Sequence, residues 1–499
     1  MNQLKKGAIL NYVTIFLTNA VGLLLTPFII RHLGDAEYGL YTLIGAFVGY
    51  ISVLDFGLNN TIVRFVAKYR AEKNRLKEEN FLGTTMLIYA FISFLIVVIG
   101  GICYLNLESI FSESLSLEQL DKAKIMFLIL IFNLAITLPG GAFTGICSGY
   151  EAFVFPKAVN IIRYVIRSIT IVAVLLFGGD AIAMVIVDTA MNLLVIGIQA
   201  FYVFKKLKVR FRIHQFELPI IKEILGYSIW IFVFAIVGQF QWRSGQLVLG
   251  MVTNTTTVAI FAVGVMLGTY YGAFSTAISS VFLPRATQMT VAKASSEELT
   301  SMMVKIGRLS LMVLLFILGA FILYGKQFVF LWVGPSYQES YNIALLIMLA
   351  YTLPLVQAFA NSILEARHKM AFKALVYLLF TLMGTGVGYL LAHTHGATGM
   401  ILGSILGWIV GQIIMNYYYY TIIELNIFRF FKELFYKILP FFLLMLILGY
   451  AINYLPGKGW LNFIGKAALY SAIYVLLAYQ IGMVPSEKKL FQKAIPFLK

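Results

Sequence analysis

Charge is scarce in this chain. Only 12% of its 499 residues are Asp, Glu, Lys or Arg, about half the share of an ordinary soluble domain. Hydrophobic residues make up 60% and mean hydropathy is +0.87, which excludes a soluble fold. Cysteine is nearly absent. Cys103 and Cys147 lie near the ends of the third and fourth apolar runs, and consecutive spans run in opposite directions, so the two thiols fall near opposite faces and cannot bridge. Histidine numbers five, and His393 and His395 have no accompanying ligands, so no metal-ligand spacing appears. No G-x-x-x-x-G-K-[ST] occurs, and there is no soluble domain to hold a nucleotide. Lys5 and Lys6 precede an apolar run as in a signal peptide. The run continues to Ile30 with no A-x-A-like site, so it reads as a retained first span.

What the chain does have is long apolar runs. Fourteen can be drawn, at 8–30, 39–62, 81–105, 125–149, 155–177, 181–204, 221–250, 256–283, 304–325, 340–363, 371–392, 397–421, 434–454 and 462–484. Runs of this length and number predict an all-α integral membrane protein with 14 transmembrane helices. Basic residues give an independent check. With the N-terminus in the cytoplasm, inner segments hold 29 of the 38 Lys and Arg, outer segments hold six, and three lie inside spans. That asymmetry is the positive-inside pattern, with both termini cytoplasmic. It also accounts for the net charge of +16 through contact with anionic headgroups, leaving no separate case for nucleic acid.

The chain repeats itself. ILNY at 9–12 returns as ILGY at 224–227, TLP at 137–139 as TLP at 352–354, PKAV at 156–159 as FKAL at 372–375, and GDAIAM at 179–184 as HGATGM at 395–400. The near-constant offset predicts two six-helix lobes, 1–214 and 215–428, followed by two extra helices in 429–499. Six is even, so the repeats are parallel, an alternating-access layout. Pro139 and Pro354 are repeat partners and predict a shared kink. Lys157 pairs with Lys373 and Arg64 with Arg285, which reads as topology and headgroup contact.

The charges inside spans are not repeated. Arg163, Arg167, Arg243, Asp55 and Asp188 map to Leu379, Met383, Phe28, Thr276 and Ser404. A fold that can be built without them does not need them for its architecture. Arg163 and Arg167 are four apart and share a helix face with Asn160. Each costs roughly 2.5–3.5 kcal/mol at mid-membrane, so a negative group is expected nearby. It is either an internal carboxylate, Asp55 or Asp188, or a substrate phosphate held bidentately by guanidinium forks. Other polar stripes fit a wet interior: Asn11, Thr14 and Thr18; Ser52, Asp55 and Asn59; Asp188 and Asn192; Gln239, Arg243 and Gln246; Gln357 and Asn361.

Residues 31–69, RHLGDAEYGLYTLIGAFVGYISVLDFGLNNTIVRFVAKY, resemble the start of Wzx-type polysaccharide flippases of the multidrug/oligosaccharidyl-lipid/polysaccharide exporter superfamily. The G-x-x-E-Y-G-L-Y turn, Gly34 to Tyr41, and the D-x-G-L of Asp55 to Leu58, followed by Arg64, carry the resemblance. It implies transfer of an undecaprenyl-pyrophosphate-linked oligosaccharide from the cytoplasmic to the outer leaflet of the bacterial cytoplasmic membrane, with no catalysis. On that reading Arg163, Arg167, Arg243, Asn160, Gln239 and Gln246 face the pyrophosphate and sugar. Asp55, Asp188 and Asn59 serve as charge partners or take a coupling Na⁺ or H⁺. The last two helices are candidates for a groove for the lipid tail, and a polysaccharide polymerase or export machinery is the expected partner. A multidrug cation antiporter of the same superfamily is the nearest rival, but the buried excess here is positive. A membrane glycosyltransferase or polymerase would need a larger outer loop than the turn holding Asp35 and Glu37. A non-transporting scaffold would have no use for unrepeated buried arginines.

Overall fold

The computed structural model describes residues 3–215, 218–279, 283–367 and 369–494. Side chains within 3–9, 11–12, 216–231, 276–285, 490–491 and 493–494 are excepted, so Asn11 and Arg285 lie outside the described residues. The described chain is helical, with no strand. In order, the helices are α1 Gln3–Leu33, α2 Asp35–Ile51, α3 Leu58–Ala71, α4 Arg75–Phe111, α5 Leu117–Gly149, α6 Val154–Leu176, α7 Ala181–Phe201, α8 Leu218–Val252, α9 Thr255–Ser279 and α10 Leu283–Val291. There follow α11 Ser296–Val333, α12 Gln338–Val356, α13 Ala358–Ala366, α14 Met370–Thr421, α15 Ile427–Phe435, α16 Ile438–Ile452, α17 Gly459–Leu477 and α18 Pro485–Ala494.

Local chemistry sets the starts. Asn74 caps α4 through the N–H of Lys77, and Asp180 caps α7 through that of Ala183. Ser116 with Gln119, and Ser295 with Glu298, form reciprocal capping boxes on α5 and α11. The chain divides into two compact units, Met1–Ala259 and Ile260–Lys499. In the first, α5 packs against α3, α4 and α7, α6 against α1 and α7, and α8 against α2. In the second, α11 packs on α12, α15, α16 and α17, and α12 on α14.

Twelve described helical segments are long and apolar enough to cross a membrane, against the fourteen runs expected. Two runs, 371–392 and 397–421, share α14. The run 221–250 lies in α8, where many side chains are not described. α14 is not straight. Gly396 breaks it at φ 52, ψ −134, and its two halves fold back on each other. The crossing uses small residues, as close packing in membranes requires. A Cβ on Gly403 would lie 2.2 Å from the Gly388 nitrogen, and one on Gly407 would lie 2.1 Å from the Phe380 carbonyl oxygen. Gly403→Ala is therefore expected to cost about 1–3 kcal/mol by overpacking, read as a lower melting temperature in detergent. Gly386→Ala on the same helix meets open space and should leave it unchanged.

The repeat has a structural counterpart in helix starts. Val154 of α6 stands 216 residues before Met370 of α14, and Ala181 of α7 stands 216 before Ala397, the residue after the break. Pro139 and Pro354 lie inside α5 and α12. They differ in outcome. α5 runs on to Gly149, whereas α12 ends at Val356 and gives way to α13 after Gln357. Lys373 departs from the headgroup role read from sequence. It is 8% exposed, donates to Asn361 Oδ1 at 2.7 Å, and lies over the Tyr377 ring.

The D-x-G-L sequence interrupts the second span. A 3-10 turn, Ser52–Asp55, follows α2. Phe56 and Gly57 then take left-handed φ values of 51° and 65° before α3 begins. Phe56 stacks on Phe232 of α8, with ring centroids 4.5 Å apart. A non-glycine residue in that region costs roughly 1–2 kcal/mol. Interrupted helices mark binding sites in transporters.

Candidate functional site

Four of the five unrepeated charges, Arg163 and Arg167 on α6, Asp188 on α7 and Arg243 on α8, come together with polar groups of α2. α6 and α7 are joined by a short turn in which Gly178 takes φ 82 and Asp180 caps the second helix. The hairpin is antiparallel, so a step of four residues up α6 matches a step of four down α7. Two polar rungs result. Arg163 Nη1 donates to Asn192 Oδ1 at 2.5 Å. One turn on, Arg167 holds Asp188 with two donors, Nε to Oδ1 and Nη2 to Oδ2, the latter at 2.9 Å. These are the tenth and fourteenth of the 23 residues of α6, so both rungs lie near mid-helix.

The two rungs differ in charge. Arg167 faces a carboxylate, and Tyr41 of α2 completes that bracket by donating to Asp188 Oδ2 at 3.1 Å. The side chains of Arg167 and Asp188 are 24% and 21% exposed. Arg163 faces only amides. Asn192 in turn donates to Asn133 Oδ1 of α5 at 3.2 Å. The Arg163 guanidinium also lies over the Tyr164 ring at 5.2 Å, and its Nε is buried without an acceptor. Its charge is not neutralised by any carboxylate among the described residues.

Arg243 of α8 comes to the same stripe of α2. It is exposed, and its Nη1 donates to the Gly45 carbonyl at 3.2 Å. Tyr41, Gly45 and Gly49 are spaced by four on α2, so one helix face carries the Asp188 bracket and, a turn away, Arg243. Gly49 makes room for it, because a Cβ there would sit 2.9–3.0 Å from the Arg243 side chain. No described carboxylate pairs with Arg243. Gln239 and Gln246 are half-buried on the same helix, and Gln239 Oε1 has no donor. Asn160, one turn before Arg163, is half-buried.

Asp55 and Asn59 do not join the arginines. Asp55 ends the 3-10 turn facing the Tyr89 hydroxyl and the N–H of Gly57. The Tyr89 hydroxyl falls short of hydrogen-bond geometry with any partner. Asn59 Oδ1 is buried without a donor. This leaves a carboxylate and an amide oxygen, four residues apart across the helix break, with no basic partner among the described residues. The repeat counterparts of Arg163 and Arg167 in the second unit, Leu379 and Met383, are exposed apolar side chains at 54% and 55%. That unit instead buries a mostly neutral network. Gln357 bridges Gln412 and Asn416, and Tyr377 donates to Gln412 Oε1 at 2.9 Å.

This geometry can bind an anion at mid-span in the first unit, and the sequence relationships bear on which one. A family model described as polysaccharide biosynthesis protein matches residues 4–290. The chain belongs to that family. The resemblance to polysaccharide exporters read from residues 31–69 agrees with that family. A provisionally named O-antigen transporter of Shigella flexneri is 22% identical over 398 residues, covering 78% of this chain and 90% of its own. Among solved structures, a lipid II flippase MurJ in an inward closed conformation superposes with a TM-score of 0.73 at 16% identity, covering 95% of this chain and 99% of that one. An inward-facing multidrug resistance MATE transporter gives 0.62 at 14% identity, covering 83% and 96%. These likenesses fix the fold.

In this polysaccharide-family member the sequence pointed to the arginine face and offered Asp55 or Asp188 as its carboxylate; Asp188 takes Arg167, and the amide partner of Arg163 was not foreseen. Tyr41 stood out only as part of a turn motif. Asn133 gave no signal beyond being an asparagine in an apolar run. The choice of Asn192 for Arg163 and Asp188 for Arg167 follows from hairpin register, which composition does not encode.

Proposed function

We propose that this flippase moves a polyprenyl-pyrophosphate-linked oligosaccharide from the cytoplasmic to the outer leaflet of a bacterial cytoplasmic membrane. Arg163 and Arg243 serve as phosphate contacts. The observation that carries this reading is the charge imbalance at mid-span. Three arginines meet one carboxylate in contact, and that carboxylate is spent on Arg167. Guanidinium forks suit phosphate oxygens, and a half-exposed cation at this depth gains most from an anion that brings its own charge. The named likenesses to an O-antigen transporter and a lipid II flippase support such a substrate. A cationic drug would be repelled by the same site. Asn160, Gln239 and Gln246 offer amides to sugar hydroxyls, and a polymerase or export assembly takes the product. Reconstituted vesicles loaded with fluorescent lipid-linked oligosaccharide test this. The labelled lipid should become accessible at the opposite leaflet with its glycan unaltered, and an altered glycan or no transfer would contradict it.

The same reading assigns ion coupling to Asp55 and Asn59. A carboxylate without a basic partner beside an undonated amide oxygen suits Na⁺ or H⁺. Asp188, held by Arg167 and Tyr41, is the less available acid. Initial transfer rates should depend on a Na⁺ or pH gradient in the native protein, and Asp55→Asn should abolish that dependence. A gradient dependence that survives Asp55→Asn would remove Asp55 from the coupling step.

A further inference from the structure

At one end of the first unit, the ends of α3 and α5, the start of α4 and the segment after α7 enclose a cleft of about 350 Å³. Arg70, Lys73, Arg75 and Lys208 line it, with Glu78 and Tyr150. Most of these charges have work to do. Arg70 donates to the Gly149 carbonyl at 3.1 Å and lies over the Tyr150 ring at 4.1 Å. Arg75 donates to the Lys208 carbonyl at 3.2 Å and pairs with Glu79. Glu78 accepts from the Tyr150 hydroxyl at 2.6 Å. Burial, together with that bond, pushes the hydroxyl well above its ordinary range. Lys73 and Lys208 are left over. Both are exposed, and neither ammonium has a partner among the described residues.

Both lysines also sit at left-handed helix ends, with φ of 52° and 54°, where glycine is the easier residue. The second unit provides an internal comparison. Its corresponding turn carries Lys293 at φ 51, beside a cleft of about 990 Å³. There Lys293 and Lys305 face Glu297 and Glu298, so charge is balanced. The left-handed lysine is shared, whereas the cationic excess belongs to the first unit alone. Apolar surface adjoins that excess. Leu76, next to Arg75, is 66% exposed, and Phe204, one turn before Lys208, is 48% exposed. An apolar rim beside unpaired cations at helix ends fits a ligand that arrives from the membrane, and basic pockets between helix ends hold such headgroups.

We propose that this cleft binds the phosphate headgroup of an anionic membrane phospholipid, with Lys73 and Lys208 as its charge contacts and its acyl chains lying over Leu76 and Phe204. The site is distinct from the mid-span arginines, and it stands or falls independently of the transported substrate.

The test uses the full-length chain in mixed micelles with phosphatidylglycerol or phosphatidylcholine. Retained lipid is read by native mass spectrometry and stability by thermal unfolding. The native protein should retain phosphatidylglycerol in preference to phosphatidylcholine and be stabilised by it. Lys73→Gly/Lys208→Gly removes both charges at positions where the backbone favours glycine. It should bind phosphatidylglycerol roughly ten- to thirtyfold more weakly. Lys293→Gly should bind it as the native chain does. Undiminished retention by the double variant would overturn the proposal. So would equal stabilisation by millimolar inorganic phosphate, which would make the ligand a soluble anion instead of a lipid. Retention is measured directly, so any change in the variant's own stability does not hide the result.

Discussion

Arg163→Ala is expected to lower transfer of the lipid-linked oligosaccharide by roughly ten- to a hundredfold while leaving the protein in the membrane at its normal amount. The prediction rests on what each side of the α6–α7 ladder loses. Arg163 has only neutral partners, Asn192 and, behind it, Asn133. Removing the guanidinium leaves two amides that already bond each other, so little buried polarity is orphaned. What is lost is a cation with an unused buried N–H. A hydrogen bond to a charged group is worth about 1.5–3 kcal/mol, and each 1.4 kcal/mol is about tenfold in affinity. Arg163→Lys keeps the charge but not the planar fork and should fall between the two. The loss should appear at low substrate as a raised KM. Arg167→Ala should behave differently. It strands Asp188 beside Tyr41, a loss between the small value of an exposed pair and about 3–5 kcal/mol for a buried one. Its defect should therefore appear first as reduced abundance and melting temperature.

The largest loss of stability is expected from Arg308→Ala. Arg308 of α11 is 4% exposed. Its guanidinium holds Glu487 of α18 with two donors, at 2.6 and 3.2 Å. It also donates to the carbonyls of Glu433 at 2.8 Å, Tyr436 at 2.7 Å and Gly482 at 3.2 Å. One side chain thus ties the end of α15, the approach to α16, the end of the last apolar run and the C-terminal helix to α11. Truncation leaves a buried carboxylate with no cation among the described residues, only the Val484 N–H at 2.9 Å, and takes the guanidinium away from three carbonyls. Breaking a buried pair from one side costs about 3–5 kcal/mol. The expected readings are a large drop in melting temperature and early proteolytic release of α18. Glu487→Gln keeps the shape and loses only the charge, so its drop should be smaller. Equal melting temperatures for Arg308→Ala and the native chain would show that the hub carries no stability.

Arg308 also shows where reading the sequence stops. It stands near the start of the apolar run 304–325, where a cation reads as topology, and nothing in LMVLLF after it signals a partner nearly 180 residues away. Lys373 was assigned to headgroups for the same reason and is in fact buried on Asn361. Positive charge at span ends is so common that the few structural cases hide among topological ones. Features with local causes were legible. The helical class and the two-fold repeat follow from run length and recurring motifs, whereas the interruption at Asp55–Leu58 falls inside the run 39–62, which reads as one unbroken span. The shared face of Arg163 and Arg167 follows from spacing alone. Its division into a neutral rung and a charged rung does not, because it depends on where α7 starts after Gly178. Arg243 was expected in the second half of the repeat. Its guanidinium bonds α2, through a glycine carbonyl that has no sequence signature.

The central claim is that Arg163 and Arg243 hold the pyrophosphate while Arg167 is held by Asp188. The most direct measurement is transfer of a pyrophosphate-linked oligosaccharide in reconstituted vesicles by three proteins: the native chain, Arg163→Ala/Arg243→Ala, and the charge swap Arg167→Asp/Asp188→Arg. The double alanine variant should lose transfer by roughly a hundredfold or more, and the swap, which restores the ion pair in reverse, should retain most of it. Native-like transfer by the double alanine variant, or a swap as inactive as that variant, would contradict the account.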